Sequence, residues 1–171
     1  MKKFELTSET KINIFGKKLF RIKALVSFGV VKTGETGGWV EKEENVNQSG
    51  DAWVFGNAEV FGNARVSGNA RVFGNAEVFG NAEVFGNARV SGNAEVFGNA
   101  DYTTIHGFGT QFRTTTFFRC KDKQVKVSCG CFYGTIPEFR EQVKNTRDGK
   151  IAEEYLMIAD LMEKHFAEEA K

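Results

Sequence analysis

From His106 to Arg119 the sequence reads His-Gly-Phe-Gly-Thr-Gln-Phe-Arg-Thr-Thr-Thr-Phe-Phe-Arg, a run whose residue types suit ligand capture. Gly107 and Gly109 permit close backbone approach. The hydroxyls of Thr110 and Thr115, with Gln111 between them, and the guanidinium groups of Arg113 and Arg119 can hold phosphate oxygens. Phe108 or Phe112 can stack on a base. If the threonine run is a strand, Arg113 and Arg119 share one face because six is even, and Lys121 continues the parity. The expected ligand is small and anionic or nucleotide-like.

Catalysis has one candidate in the same stretch. His106 could serve as a general base, but no carboxylate between Ile105 and Arg113 would orient its ring, so no catalytic residue and no cofactor is assigned. Cys120, Cys129 and Cys131 offer three thiols. With His106 they could make four zinc ligands, yet the usual two-residue ligand spacing is absent. Cys129 and Cys131, two apart on an expected strand, read better as small inward hydrophobes, so no metal is expected.

A chain of 171 residues with 41% hydrophobic and 26% charged residues has enough apolar material for a core and is too short for a large multidomain enzyme. Nineteen glycines beside one proline exclude collagen and proline-rich linkers and indicate a backbone that turns often. The net charge of +1 argues against general binding of nucleic acid or anionic membranes. Locally, His106 to Lys126 carries five basic residues and one acid, against three and six from Lys150 to Lys171. Neither an apolar leader nor a run of membrane-spanning length is evident, which predicts a soluble protein with reduced thiols in a cytoplasm.

The elements that must position these residues begin with a repeat. From Asp51 to Gly98, 48 residues form eight uninterrupted units of Asn-Ala-x-Val-Phe/Ser-Gly, with Asp51 in place of the first Asn. A six-residue period is too short for helical repeats and marks a β-helix. Ala and Val, two apart, point inward, and Gly-Asn tolerates the left-handed backbone of a tight corner. Residues 1–44 read as an N-terminal β cap and lead-in coil, with strands at Lys11–Phe15 and Leu19–Ile22 around a Gly16-Lys17 turn. Residues 45–104 read as the stalk, and residues 105–171 as a C-terminal α+β unit. In that unit Thr116–Lys121 and Gln124–Phe132 are the expected strands. The capping-box pattern Thr135-Ile136-Pro137-Glu138 opens one helix, and Ile151, Tyr155, Ile158, Met162 and Phe166 pattern a second.

The stalk resembles the hexapeptide-repeat left-handed parallel β-helix, which implies three hexads, 18 residues, per turn and a stalk of roughly 15 Å at one strand spacing per turn. The wider pattern is Gly37-Gly38-Trp39-Val40-Glu41, the repeats, Thr114 to Arg119, and Val127-Ser128-Cys129-Gly130-Cys131-Phe132-Tyr133-Gly134-Thr135. It resembles hexapeptide-repeat proteins common in phages and prophages. That resemblance specifies the fold class, mainly β with a β-helix, better than a role. Relatives of the fold include acyltransferases, for which His106 is the only base available, and the resemblance to phage proteins implies a place in the host-cell cytoplasm and an anti-defence role, the sequestration of a nucleotide immune signal.

With 18 residues per turn the outward positions stack in ladders: Trp53, Arg71 and Arg89; Glu59, Glu77 and Glu95; Arg65, Glu83 and Asp101. After each Val stand Phe55 and Phe73 on one ladder and Phe61, Phe79 and Phe97 on the next. A glutamate column beside a phenylalanine column is unfavourable on an isolated chain, and it complements Arg71 and Arg89 beside Phe55 and Phe73 on another copy. These are different patches, so the contact is heterologous and closes as a ring, predicting a homotrimer. The expectation is a non-enzymatic oligomeric binding protein, with a scaffold for a protein partner as the alternative.

Overall fold

The computed structural model describes residues 1–168. Its centre is a parallel β-solenoid of about three turns, built from the repeat. Each unit gives a two-residue strand: β4 to β11 are Trp53–Val54, Glu59–Val60, Arg65–Val66, Arg71–Val72, Glu77–Val78, Glu83–Val84, Arg89–Val90 and Glu95–Val96. Strands 18 residues apart pair in parallel, so Glu59, Glu77 and Glu95 stack, as do Trp53, Arg71 and Arg89. Inward alanines and valines from Ala52 to Val96 are at most 1% exposed. The corners turn at glycines whose φ runs from +58° at Gly56 to +72° at Gly74, a region in which a Cβ is strained. Asn63 donates to Asn81 at 3.2 Å and Asn69 to Asn87 at 3.1 Å, so corner amides form their own ladder.

The solenoid begins earlier and ends earlier than residues 45–104. Its first strand on one face is β3 (Thr36–Val40), whose Trp39 and Val40 pair in parallel with Glu59 and Val60. At the other end Gly98 has an extended φ of −152° instead of a corner conformation, and Asn99–Asp101 form a short 3-10 turn. The degenerate unit 99–104 therefore leaves the coil. Its Tyr102 starts the next sheet.

Both open ends are covered, as unpaired strand edges require. At the N-terminal end β1 (Phe4–Ile12) and β2 (Lys18–Ala24) form an antiparallel hairpin, and β2 pairs with β3. Strand β1 stops at Ile12, short of the expected Lys11–Phe15 segment. The side-chain oxygen of Asn13 accepts from the backbone N–H groups of Phe15 and Lys17, both at 3.0 Å, and folds the chain into a turn. Phe4 and Phe28 pack edge-on against Trp53 at 5.7 and 5.3 Å, so Trp53, outward by position in the ladder, is fully buried.

The C-terminal unit is a four-stranded antiparallel sheet, β12 (Tyr102–Phe108), β13 (Arg113–Arg119), β14 (Val125–Cys129) and β15 (Phe132–Thr135), with α1 (Ile136–Thr146) and α2 (Gly149–Phe166). Four strands replace the two expected: Gly130, with φ +61°, breaks the long segment into the β14–β15 hairpin, and Tyr102–Phe108, leaving the coil, adds β12 beside β13. Alternation along β13 assigns its two faces. Phe117 joins Phe139, Val143, Tyr155 and Ile158 under the helices, while Phe118 joins Tyr102 and Cys120 over the solenoid core. Arg89 N–H donates to the Thr116 hydroxyl at 3.0 Å and Lys121 N–H to the Asn93 carbonyl at 3.1 Å, fastening the sheet to the last coil. Thr135 and Glu138 form the capping box of α1, with Thr135 N–H donating to the Glu138 carboxylate at 2.7 Å.

Candidate functional site

The segment from His106 to Arg113 joins β12 to β13, and its residues line two cavities. On the stalk side lies an open cleft of about 560 Å³, lined by Asn87, Arg89, His106, Phe112, Arg113 and Thr114 and by the Gly130-Cys131 turn. On the helix side lies a smaller cavity of about 90 Å³, to which Phe108, Thr110, Gln111 and Arg113 contribute. Arg113 lines both. Neither lining contains an aspartate or a glutamate, so positive charge in each goes unanswered locally.

In the cleft the position of each group follows from its element. Arg89 is on the last strand of its ladder, with no further coil above to cover it. His106 and Thr114 come together because β12 and β13 are antiparallel, and the His106 Nδ1 lies 3.2 Å from the Thr114 hydroxyl. Phe112 is held at φ +49°, a left-handed conformation uncommon for a residue with a Cβ, and its ring is 65% exposed. A strained backbone that presents an aromatic ring to solvent beside cations gains nothing from core packing, and such outliers gather at binding sites.

Two of the residues assigned to the ligand have other work. Thr115 is buried and donates to the Cys129 sulfur at 3.2 Å. Arg119 shares a strand face with Arg113 but lies about 20 Å along it, six residues at a strand rise of ~3.3 Å. Its guanidinium pairs with Asp101 at 3.4 Å, donates to the Phe166 carbonyl at 3.0 Å and stacks over the Phe166 ring at 5.4 Å. Parity established the face and said nothing of distance. Lys121 pairs with Glu77, outside the cleft. The cysteines divide as well: Cys129 faces Thr115 while Cys131 is exposed on the turn, so they do not share one inner face. Burial pushes the Cys120 thiol up to about 12, with Asp122 adding to the shift.

No family model matches this chain, and no curated protein is significantly similar to it. The site must therefore be read from its own geometry.

The columns expected to meet another copy are partly occupied within the chain. Lys11 pairs with Glu59 at 2.6 Å, and Asn13 donates to the same carboxylate at 3.2 Å. Phe61 is 4% exposed and stacks on Phe79 at 5.0 Å, with Phe15 of the hairpin turn 5.5 and 5.3 Å from the two rings. Phe97 remains 61% exposed, and Glu95 carries no ion pair among the described residues. Phe55 and Phe73 are half-buried, and Arg71 is half-exposed on the next face. Arg89, Asn87 and Thr114 were not assigned to ligand binding from sequence. For Arg89 a signal existed, since a ladder's last member has no coil stacked over it. No helix among the described residues is long and apolar enough to cross a membrane.

Proposed function

We propose that this chain is a binding protein that captures a small phosphate-bearing, nucleotide-like anion where the stalk meets the C-terminal sheet. The observation that carries the reading is the convergence of Arg89, Arg113 and His106 with the exposed Phe112 ring on one carboxylate-free cleft of about 560 Å³. That volume lies within the usual range for small-molecule sites. Two guanidiniums can take phosphate oxygens through charge-assisted hydrogen bonds, and Phe112 offers a stacking face. The reading is capture, not turnover: the ring of His106 is oriented by a hydroxyl, with no carboxylate to make it a base. Titration calorimetry with a panel of 5′-ribonucleotides, against inorganic phosphate and free nucleosides, tests it.

Three finer features belong to the same proposal. The coil is left-handed, supported by hexad corners at three per turn. Copies assemble as a homotrimer, through Phe97, Glu95 and Arg71 more than through the columns the hairpin covers. The ligand is a nucleotide signal sequestered inside a host cell, which the resemblance to phage and prophage proteins supports. A scaffold role is favoured by one observation, the exposure of Met157 and Leu161 four apart on α2, a face that a protein partner would cover.

A further inference from the structure

Behind Arg113 the helix-side cavity has its own chemistry. Its floor is apolar, made by Phe132 and Phe139 with Val143 and the ring of Tyr155. Arg113 and Arg147 stand on its exposed rim. Neither arginine has an ion-pair partner among the described residues. The Arg147 side chain donates only to the neighbouring Thr146 carbonyl, at 2.9 Å.

Both charges also lie near one buried hydroxyl. Tyr155 donates to the Phe108 carbonyl at 3.2 Å, closing the cavity on the hairpin side. Burial and then the Cys129 sulfur push the Tyr155 phenol above its usual range, and Arg147 and Arg113 act against that shift, as cations facing the same oxygen must.

Two exposed, hydrated like charges beside an apolar floor repel each other, and one small anion held between them relieves that repulsion and takes charge-assisted hydrogen bonds from both. At about 90 Å³ the cavity is well below the roughly 300–1,000 Å³ of ordinary small-molecule pockets, too little for a nucleotide. A planar carboxylate matches the guanidinium fork, and an apolar floor below it rewards a short hydrocarbon tail over a second charge. We propose that this cavity is a second binding site, sharing Arg113 with the cleft but not Arg89, for a short-chain carboxylate of about two to four carbons. Its head group lies between Arg113 and Arg147, with its tail on Val143, Phe139 and Tyr155.

The test titrates the full chain with butyrate, using n-butanol as the uncharged probe of the same length and inorganic phosphate as the tailless anion. Saturable butyrate binding is expected, at least tenfold tighter than n-butanol or phosphate. Arg147→Met, an exposed position where folding is not at issue, weakens butyrate at least tenfold, and Arg147→Lys recovers part of the loss. Arg89→Ala, in the cleft, leaves butyrate binding unchanged. The proposal is overturned if butyrate does not saturate, or if Arg147→Met binds it as the wild type does. Loss of butyrate binding in Arg89→Ala would overturn it too, by assigning the ion to the cleft. Failure of nucleotides to bind leaves this result untouched, so the two sites are judged separately.

Discussion

Arg113 and Arg119 show how one residue type on one strand face divides its roles. Arg119 holds Asp101 at 3.4 Å and the last carbonyl of α2 at 3.0 Å, so Arg119→Ala is expected to destabilise the chain by about 1–2 kcal/mol and leave ligand affinity unchanged. Arg113→Ala should do the reverse, with a small change in melting temperature and a loss of binding. Urea denaturation beside calorimetry separates the two. Cys120 gives a pH signature of its own. Its thiol titrates near 12 in the fold against an ordinary value of 9, so the unfolded chain loses this proton first. Its contribution to stability is complete below pH 9 and is lost progressively as pH rises toward 12. Cys120→Ala should flatten that alkaline decline relative to the wild type when urea midpoints are compared at pH 7 and pH 10.5. Residue types and parity were legible in the sequence here. Which partner each side chain meets was not, because Asp101 and Phe166 approach Arg119 from elements whose placement no local pattern encodes.

At the scale of elements, identical repeat positions acquire different surroundings. Phe61 and Phe85 both follow a Val in the same motif, yet Phe61 lies beneath the N-terminal hairpin at 4% exposure and Phe85 faces solvent at 58%. Phe61→Ala should cost about 3–5 kcal/mol and Phe85→Ala no more than about 0.5 kcal/mol in the monomer, measured by chemical denaturation. The repeat itself was open to sequence reading because inward Ala and Val and a corner Gly recur at one short period. The α1 capping box was equally readable, being wholly local. The hairpin that folds over a solenoid face was not. Its contacts, Lys11 to Glu59 and Phe15 to Phe61 and Phe79, span 46 residues or more and leave no period. The break of the long C-terminal segment at Gly130 carried a weak signal, since a glycine within a strand pattern marks either a bulge or a turn.

For the whole molecule, the solenoid is a narrow core closed at both ends, by Trp53 with Phe4 and Phe28 below and by Tyr102, Phe118 and Cys120 above. Added volume inside has nowhere to go. Ala76→Leu should therefore destabilise by about 1–3 kcal/mol or more, an effect that thermal unfolding would detect. A trimer is expected in sedimentation at micromolar concentration, and a wild-type monomer there would end the oligomer proposal. The closed ends also account for the position of the cleft: the last coil leaves Arg89 uncovered, and the capping sheet brings His106, Phe112 and Arg113 over it. The most direct test of that account is calorimetric titration of wild type, Arg89→Ala, Arg113→Ala and Arg119→Ala with the tightest-binding 5′-ribonucleotide of the panel. The account predicts saturable binding to the wild type and Arg119→Ala, and losses of ~1.5–3 kcal/mol in each of the other two. No saturable nucleotide binding to the wild type, or wild-type affinity in Arg89→Ala, would contradict it.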